Sequence, residues 1–376
     1  MTNVSNIQMV DLTTQYEEIE DEVNEAIQNV INTTAFINGP EVKAFSKELE
    51  AYLGIKHVIP CGNGTDALQI ALMALGLEPG DEVITTPFTF IATAEVISLL
   101  RLKPVFVDIE PQSFSIDPNL IEAKITDRTK AIIPVHLYGQ ACDMDAIMAI
   151  ANKHGISVIE DTAQSIGGKY KGANGTVRTG TSGHIGCTSF FPSKNLGCFG
   201  DGGAIFTNDD EIAKEIRMIC NHGSRVKYYH EVVGINSRLD SIQAAVLRIK
   251  LRKLDQYCDA RRAAAHRYNE AFASNSKITT PSSPSYSHHV FHQYTLVLDG
   301  DRNELQSYLK ERGVPAMIYY PVPLHIQDAY KSYGYNDGDF PISEELSKNV
   351  ISLPMQTELN DEVQSYIIEQ VNSFFA

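Results

Sequence analysis

The sequence predicts an α/β protein in which a mixed, mostly parallel sheet is sandwiched by helices and followed by a smaller α+β region. From about residue 56 to residue 206, short apolar runs alternate with segments whose apolar residues recur at helical spacing. This alternation is typical of a parallel sheet covered on both faces. The predicted strands are 82–85, 104–107, 131–135 and 157–159, and the predicted helices are 67–75, 91–100 and 144–153. Ligands of such sheets bind beyond the carboxyl ends of the strands, so we expect the chemistry there.

The composition is that of an ordinary globular protein, with 376 residues, of which 43% are hydrophobic and 21% charged. Lys and Arg number 31 and Asp and Glu number 47, which gives a formal net charge of −16. Nucleic acid and anionic membranes repel so acidic a chain, so neither partner is expected. No apolar stretch is long enough to span a membrane, and the polar N-terminus does not read as a secretory signal. Six cysteines without a C-x-x-C pair indicate reduced thiols and a cytoplasmic location.

A long helical segment marks the predicted junction of two domains. Between residues 237 and about 272, two apolar stripes repeat at helical spacing, which indicates one long helix or a broken pair buried on two sides. A turn-rich stretch follows, then a strand at 290–297 and helices at 302–312 and 361–374. We place the boundary near residue 250, which gives a large α/β domain at 1–250 and a small α+β domain at 251–376.

Segment 61–69 is the first candidate binding element, because a Gly-rich turn runs directly into an amphipathic helix. The free amides and the dipole at such a helix start suit an anion, typically a phosphate. On this segment alone, an ordinary helix start capped by Asn63 or Thr65 is the simpler interpretation. The segment is neither a Walker A loop nor a G-x-G-x-x-G fingerprint, so those nucleotide-binding motifs are not supported.

Two further segments carry groups capable of chemistry. Glu160 and Asp161 directly follow the predicted strand 157–159, where a carboxylate can hold a cationic ring nitrogen, coordinate a metal or cap the next segment. Lys194 lies in a loop of small and apolar residues, where partial desolvation would lower the pKa of its amine and make it nucleophilic. A solvent-exposed loop lysine is the ordinary alternative.

Three histidines close together in the sequence, His288, His289 and His292, are a weaker candidate for a metal site. No carboxylate is placed to complete the ligand set, and the sequence contains no H-E-x-x-H motif. Turn and strand residues are the better interpretation, so no metal is expected.

Taken in order, the Gly-rich turn, Asp161 and Lys194 resemble the site of a pyridoxal-phosphate enzyme of fold type I, the aspartate aminotransferase fold. More specifically, the chain resembles the DegT/DnrJ/EryC1/StrS family of nucleotide-sugar aminotransferases over nearly its whole length. The most specific matching segments are Gly64-Thr-Asp-Ala-Leu, Pro87-Phe-Thr-Phe-Ile-Ala-Thr-Ala, Pro134-Val-His-Leu-Tyr-Gly-Gln, Glu160-Asp-Thr-Ala-Gln, the Lys194 loop and Asn236-Ser-Arg-Leu-Asp. Their common order argues against a chance match.

The resemblance implies a role for each matching residue. Lys194 would form a Schiff base with pyridoxal 5'-phosphate and shuttle a proton, while Asp161 would keep the pyridine nitrogen of the cofactor protonated. Gln164 would contact the ring hydroxyl, and Phe90 would stack on the ring face. Backbone amides and hydroxyls would hold the phosphate at Gly64, Thr65, Asp66 and Ser189. Asn236 would reach the phosphate from the neighbouring subunit, which implies a homodimer with shared active sites.

Lysine at position 194 implies amination, because relatives that dehydrate their substrate have histidine there. Glutamate would donate the amino group, leaving 2-oxoglutarate, and a nucleotide-linked keto sugar would accept it. The branch that looks closest acts on UDP-2-acetamido-2-deoxy-3-keto-glucuronate, and there the arginine matching Arg238 lies near the sugar carboxylate. Tyr319 and Tyr320 are the other implied substrate-binding residues, with Tyr319 standing where many relatives have histidine.

Two alternatives stay open beside this reading. The acceptor of the first is a dTDP-3-keto- or dTDP-4-keto-6-deoxyhexose, which has no carboxylate and leaves Arg238 for structural pairing. In the second, the protein binds pyridoxal phosphate without turnover, as a regulator or structural partner. The acidic charge disfavours a DNA-binding regulator, and the intact Lys194, Asp161 and Gln164 disfavour an inactive site.

Overall fold

The structure is a computed structural model that describes residues 7–376. Residues 1–6, where the stretch that argues against a secretory signal begins, lie outside the described residues. The helices are α1 (Leu12–Glu17), α2 (Glu20–Thr33), α3 (Pro40–Leu53), α4 (Gly64–Ala74), α5 (Ala92–Leu99), α6 (Pro118–Ile121), α7 (Met144–His154), α8 (Asp210–Cys220), α9 (Ser241–Phe272), α10 (Arg302–Glu311), α11 (Pro341–Asn349) and α12 (Asp361–Phe375). The strands are β1 (His57–Cys61), β2 (Glu82–Thr85), β3 (Lys103–Phe106), β4 (Thr129–Ile132), β5 (Ser157–Asp161), β6 (Lys169–Gly172), β7 (Gly175–Arg178), β8 (Ile185–Ser189), β9 (Gly203–Thr207), β10 (Ser224–Val226), β11 (Tyr229–His230), β12 (Ile278–Thr279), β13 (Ser287–His288), β14 (Tyr294–Leu298) and β15 (Val350–Leu353).

A mixed sheet forms the centre of the described chain, with seven strands in the order β1-β9-β8-β5-β4-β2-β3. The strands from β8 to β3 are parallel to one another, whereas β9 runs antiparallel to both β8 and β1. The four strands expected from the sequence are β2, β3, β4 and β5, at or close to their predicted bounds. The prediction of a mixed, mostly parallel sheet is therefore confirmed.

Helices cover both faces of this sheet, because adjacent apolar residues of a strand point to opposite sides. In β2, Val83 packs in a core with residues of α4, α5 and α8, while Ile84 packs in a core with residues of α7. In β5, Ile159 packs in the same core as Val83, and Val158 packs in the same core as Ile84. The near-continuous apolar runs of these strands follow from burial on both sides.

Helix α9 connects two hydrophobic cores. It runs unbroken for 32 residues, so the single long helix is the correct alternative. Leu247 and Leu254 pack in a core of the central sheet, whereas Tyr268 and Phe272 pack in the core of a small antiparallel sheet, β12-β14-β15. The helix continues through the proposed boundary, and the division near residue 250 stays a prediction.

The strand predicted at 290–297 is β14, which begins later, at Tyr294. Phe291 has a positive φ of 44°, and its ring stacks on that of His289 with a centroid separation of 3.8 Å. The amide of Val290 donates to the carbonyl of Gly139 at 3.0 Å. These contacts hold the segment against the loop around residue 139, so it cannot join the sheet until Tyr294.

None of the helices within residues 7–376 has both the length and the apolar sequence needed to cross a bilayer. All six cysteines are buried and free.

Candidate active site

A cavity of about 490 Å³ lies at the carboxyl ends of β5 and β8, the edge at which ligands of such sheets bind. We call it the main cavity. It brings together most of the residues that the sequence singled out, although they come from segments far apart in the chain. The predicted residues that line it are Gly64, Thr65, Phe90, Asp161, Gln164, Ser189, Lys194, Tyr319 and Tyr320.

Lys194 is presented to the main cavity by the loop between β8 and β9. Phe190 and Leu196, on either side of it, are buried in the hydrophobic core and fix the loop. Gly197 is required for the tight turn, because a Cβ there would lie 2.2 Å from the carbonyl oxygen of Pro192. The backbone amide of Lys194 donates to the carbonyl of Phe191 at 2.8 Å. The lysine therefore sits on a fixed backbone.

The environment of Lys194 makes its amine less basic. Loss of water around the side chain lowers its pKa to about 8, although the charge of Asp161 acts in the opposite direction. With this pKa, about a tenth of the amine is neutral one pH unit lower, at pH 7. A neutral amine is the nucleophilic form, so the ordinary alternative of an exposed loop lysine does not describe this residue.

Asp161, the last residue of β5, points its carboxylate into the main cavity and is held by two hydrogen bonds. The hydroxyl of Thr93 donates to Oδ2 at 2.9 Å, and the amide of Ala163 donates to Oδ1 at 3.1 Å. Thr89 lies 3.2 Å from the Thr93 hydroxyl and donates to it, because the Thr93 proton goes to Asp161. Burial nevertheless raises the pKa of Asp161, so a cation in the cavity would stabilise its charged form.

Gln164 and two aromatic residues form another part of the wall. The side-chain oxygen of Gln164 accepts a hydrogen bond from the backbone amide of Tyr138 at 2.6 Å. The side-chain amide group of Gln164 donates one to the hydroxyl of Tyr320 at 3.1 Å. The Tyr320 ring lies 6.1 Å from the ring of Phe90, which is 55% exposed. A large apolar ring left this open at the mouth of a cavity offers a face on which a planar ligand can stack.

The start of helix α4 forms part of the wall of the main cavity. Asn63 is the N-cap and accepts from the amide of Asp66 at 2.8 Å, as one of the predicted alternatives has it. The amides of the first turn have no partner within a helix, so they suit an anion. Gly64 allows a close approach to β8, since a Cβ there would lie 2.6 Å from the Cβ of Ser189.

Three predicted residues, Asp66, Asn236 and Arg238, are not among those that line the main cavity. The Asp66 carboxylate accepts from the hydroxyl of Ser237 at 2.6 Å, which ties segment 236–238 to the start of α4. Asn236 is exposed. Their contacts with cofactor and substrate stay predictions.

The carboxylate of Glu160, one of the candidate ligands, is engaged by contacts inside the protein. His136 lies 2.8 Å from Glu160, and the amides of Gly180, Ser182 and Gly183 donate to the same carboxylate, so Glu160 is used inside the protein. No cluster of three or more His, Cys, Asp or Glu side chains suited to a metal occurs in the described part of the chain.

Thr93 and Gln293 are among the wall residues that sequence reasoning missed. Thr93 lies within the segment 87–94 that carries the resemblance, but its partner Asp161 is 68 residues away. Gln293 follows His292, and both line the main cavity. Thr93 could have been noticed as a short polar residue at the start of an otherwise apolar helix. Nothing in the sequence pattern distinguished Gln293.

A lysine and a strand-end carboxylate that line one cavity together with the start of a helix form the arrangement typical of pyridoxal-phosphate enzymes of fold type I. The chain belongs to the DegT/DnrJ/EryC1/StrS aminotransferase family, whose sequence pattern matches residues 17–372. The fold type and the family expected from the resemblance are thus confirmed, and the protein is an aminotransferase.

Three relatives illustrate the range of the family. A "pleiotropic regulatory protein" of Geobacillus stearothermophilus is 50% identical over 98% of this chain and 99% of the relative. A UDP-2-acetamido-2-deoxy-3-oxo-D-glucuronate aminotransferase of Pseudomonas aeruginosa is 48% identical over 94% of this chain and 96% of its own. A dTDP-3-amino-3,4,6-trideoxy-alpha-D-glucose transaminase of Streptomyces venezuelae is 40% identical over 98% of this chain and 96% of the relative.

Solved structures agree with this assignment. A family member from Brucella abortus superimposes with a TM-score of 0.94, at 44% identity, over 98% of this chain and 99% of that one. NtdA of Bacillus subtilis with bound PMP gives a TM-score of 0.91 at 32% identity, over 98% of this chain and 85% of that one. The protein Spr1654 of Streptococcus pneumoniae in its PLP form gives a TM-score of 0.88 at 26% identity, over 94% of this chain and 95% of that one. Pyridoxal phosphate, the predicted cofactor, is therefore confirmed for the family.

The residues of the main cavity fit this cofactor. Lys194 offers an amine for the aldehyde, Asp161 a carboxylate for the ring nitrogen, and Phe90 an open face for the ring. The helix start at Gly64 and Thr65 offers amides for the phosphate, and Gly64 has no room for a side chain, because a Cβ there would lie 2.6 Å from the Cβ of Ser189.

Because the pKa of Lys194 is about 8, we expect the rate of cofactor uptake to depend on pH. Below the pKa, the neutral fraction of the amine rises about tenfold with each pH unit, and above it the rate levels off. Stopped-flow mixing of the cofactor-free protein with limiting pyridoxal phosphate measures this rate. A rate that still climbs between pH 9 and pH 10 would mean an ordinary exposed lysine.

Thr93→Val removes the hydroxyl that supports Asp161 while preserving the shape of the side chain. A lost hydrogen bond to a charged group is worth about 1.5–3 kcal/mol, so we expect the reaction with glutamate to slow by about tenfold or more. Thr93→Ser, which keeps the hydroxyl, should restore most of the rate. Rapid-mixing spectroscopy of both variants across a pH series checks this, and equal losses in the two would refute the role of the hydroxyl.

Proposed function

We propose that the protein transfers the amino group of glutamate to a nucleotide-linked keto sugar, with UDP-2-acetamido-2-deoxy-3-keto-glucuronate as the acceptor. The observation that carries the proposal is the pair formed by Lys194, with its amine of pKa about 8, and the buried Asp161 in one cavity. The relative at 48% identity that is named for this acceptor supports the choice of sugar.

The chain's own residues perform the proton transfers. Bound pyridoxal phosphate supplies an aldehyde that takes up an amino group and a ring that withdraws electrons from the substrate carbon. The neutral amine of Lys194 takes the proton from that carbon, and its ammonium form returns a proton, which a pKa near 8 allows at neutral pH. Asp161, aligned by Thr93 and Ala163, provides the negative charge that keeps the ring nitrogen protonated.

We propose that Arg238 and Asn236 serve the main cavity of a partner subunit. Neither residue lines the main cavity of its own chain, and Asn236 is exposed. A guanidinium group binds a carboxylate through two parallel hydrogen bonds, so a uronate acceptor gives Arg238 a matching partner. A 6-deoxyhexose offers no such group.

A homodimer is supported by exposed apolar side chains on and after the β10–β11 hairpin. Val226, Tyr228, Tyr229 and Val233 are 61%, 80%, 72% and 89% exposed, and Asn236 follows shortly in the chain. Adjoining apolar side chains as open as these are typical of a surface that another protein covers. A second copy of this chain is the occupant we propose.

Shared active sites predict that two inactive variants restore each other. Lys194→Ala destroys the site that its own chain forms, whereas Asn236→Ala damages the site of the partner. A hybrid dimer then has one cavity carrying both changes and one carrying neither. Refolding the two variants together should recover about a quarter of wild-type activity if subunits mix at random. Activity no higher than in the unmixed variants would contradict the shared arrangement.

The acceptor is tested by mass spectrometry of the amino sugars formed from a panel of keto-sugar nucleotides. We expect the UDP-linked 3-keto-uronate to be aminated much faster than the dTDP-linked 3-keto- or 4-keto-6-deoxyhexoses. Arg238→Gln should slow only acceptors that carry the carboxylate. Preference for a dTDP-linked deoxyhexose would instead support the alternative that the 40% identical relative represents.

A non-catalytic, regulatory role is the second candidate, because a relative at 50% identity is named a pleiotropic regulatory protein. The placement of Lys194 and Asp161 in one cavity argues for turnover, since the two side chains together supply the proton-transfer group and the partner of the ring nitrogen that transamination needs. A bound cofactor that does not react with glutamate or with other amino donors would favour the regulatory role.

A further inference from the structure

A second cavity, of about 280 Å³, adjoins the main cavity, and we call it the side cavity. Four residues line both cavities: Ser193, His292, Gln293 and Tyr319. The remaining walls of the side cavity come from the N-terminal segment and from the end of β15 and the residues after it. These residues are Gln8, Met9, Val10, Leu12, Leu353 and Met355. A group bound there would lie directly beside one bound near Lys194.

The walls of the side cavity carry no charge. None of its lining residues is Asp, Glu, Lys or Arg. Burial, together with the charges of Lys194 and Arg261, lowers the pKa of His292 well below its ordinary value, so this imidazole is neutral. The side cavity therefore combines apolar walls with neutral hydrogen-bonding groups.

Two polar atoms on these walls are unused. Nδ1 of His292 and Oε1 of Gln293 are buried and have no hydrogen-bond partner among residues 7–376. His292 itself is only 6% exposed, and its carbonyl accepts from the buried guanidinium of Arg261 at 3.2 Å, which fixes the backbone. Buried polar groups are normally paired, and these two belong to residues that line a cavity, so a ligand bound there can pair with them.

We infer that the side cavity binds the acetamido group of the acceptor sugar, an inference that rests on the proposed function. An amide offers an N–H donor and a carbonyl acceptor to the neutral polar groups, and its methyl group suits the side chains of Leu353 and Met355. A carboxylate of glutamate or of a uronate would find no Lys or Arg among the residues that line the side cavity, so its charge would be unpaired there, which is unfavourable. A deoxy position would leave the polar atoms unpaired.

The test compares two UDP-linked 3-keto acceptors that differ only at C2, one with an acetamido group and one with a hydroxyl group. Enzyme converted with glutamate to its amino form is mixed with each acceptor, and kcat/KM is measured. Because a site built to pair with a polar group discriminates against substrates that lack it, we expect at least about a tenfold preference for the acetamido sugar.

Gln293→Met assigns the preference to the side cavity, because it removes the acceptor atom and keeps the length of the side chain. We expect the ratio of the two kcat/KM values to fall by about tenfold in this variant. Gln28→Met, an exposed change on α2, is the matched control and should keep the wild-type ratio. Cofactor content and melting temperature show whether each variant is folded.

The outcomes separate this inference from the proposed function. Equal rates with both acceptors in the wild type would overturn the inference and leave the proposed function in place. A preference that Gln293→Met retains would also overturn it. If neither acceptor is aminated while a different keto-sugar nucleotide is, the proposed function fails and the inference with it.

Discussion

Lys194→Ala is expected to reduce the reaction with glutamate by about 10³-fold to 10⁴-fold, the upper part of the range of about 10²-fold to 10⁴-fold that general acid–base catalysis contributes. The variant loses both the amine that bonds the cofactor and the group that moves the proton. Alanine also removes the only lysine among the residues that line the main cavity. Single-turnover spectroscopy of the variant, loaded with cofactor, measures the effect.

Lys250 provides a matched control for this experiment. It is also buried, and burial lowers its pKa to about 8, but it lies on α9 and is not among the residues that line the main cavity. Lys250→Met should therefore keep the reaction with glutamate within about threefold of wild type. Similar losses in the two variants would mean that burial of a lysine, and not its place in the cavity, explains the result.

Asp161→Asn is expected to lower the rate of the same reaction by about 10³-fold. The amide keeps the size of the carboxylate and removes its charge, so nothing holds the ring nitrogen protonated. The loss of one preorganised electrostatic group in an active site typically costs 10²-fold to 10³-fold. The rate constant with saturating glutamate, measured after confirming cofactor content, checks this prediction.

Glu160→Gln changes the neighbouring carboxylate of the same strand and separates catalysis from stability. Glu160 faces away from the cavity, toward His136 and the amides of Gly180, Ser182 and Gly183. We expect unfolding to become easier by about 1–3 kcal/mol, since a charged acceptor of several hydrogen bonds is lost. The folded fraction should still react with glutamate at close to the wild-type rate. A large catalytic loss in Glu160→Gln would contradict the division of roles.

The sheet could be predicted because its strands carry apolar runs that both faces bury. Adjacent apolar residues such as Val83 and Ile84, or Val158 and Ile159, pack in cores on opposite faces of the sheet, and this pattern is visible in the sequence. The start of β14 was predicted too early because the contact between Val290 and Gly139 joins residues that are distant in sequence. Local pattern contains no signal for such a contact.

The site was predictable only in part. The carboxylate at the end of β5 follows from sheet geometry, but the role of Lys194 came from the resemblance to a family and not from its spacing. The support that Thr93 gives Asp161 depends on packing between α5 and β5. The side cavity likewise joins residues 8–12 to residues 353–355, which the sequence cannot place together.

The visible spectrum of the protein loaded with pyridoxal phosphate, recorded before and after glutamate and then after a keto-sugar nucleotide, tests the aminotransferase mechanism most directly. The cavity geometry predicts a long-wavelength band that requires Lys194, disappears with glutamate, and returns when the UDP-linked 3-keto-uronate is added. A protein that takes up no cofactor, or a band that neither glutamate nor another amino donor changes, would contradict it.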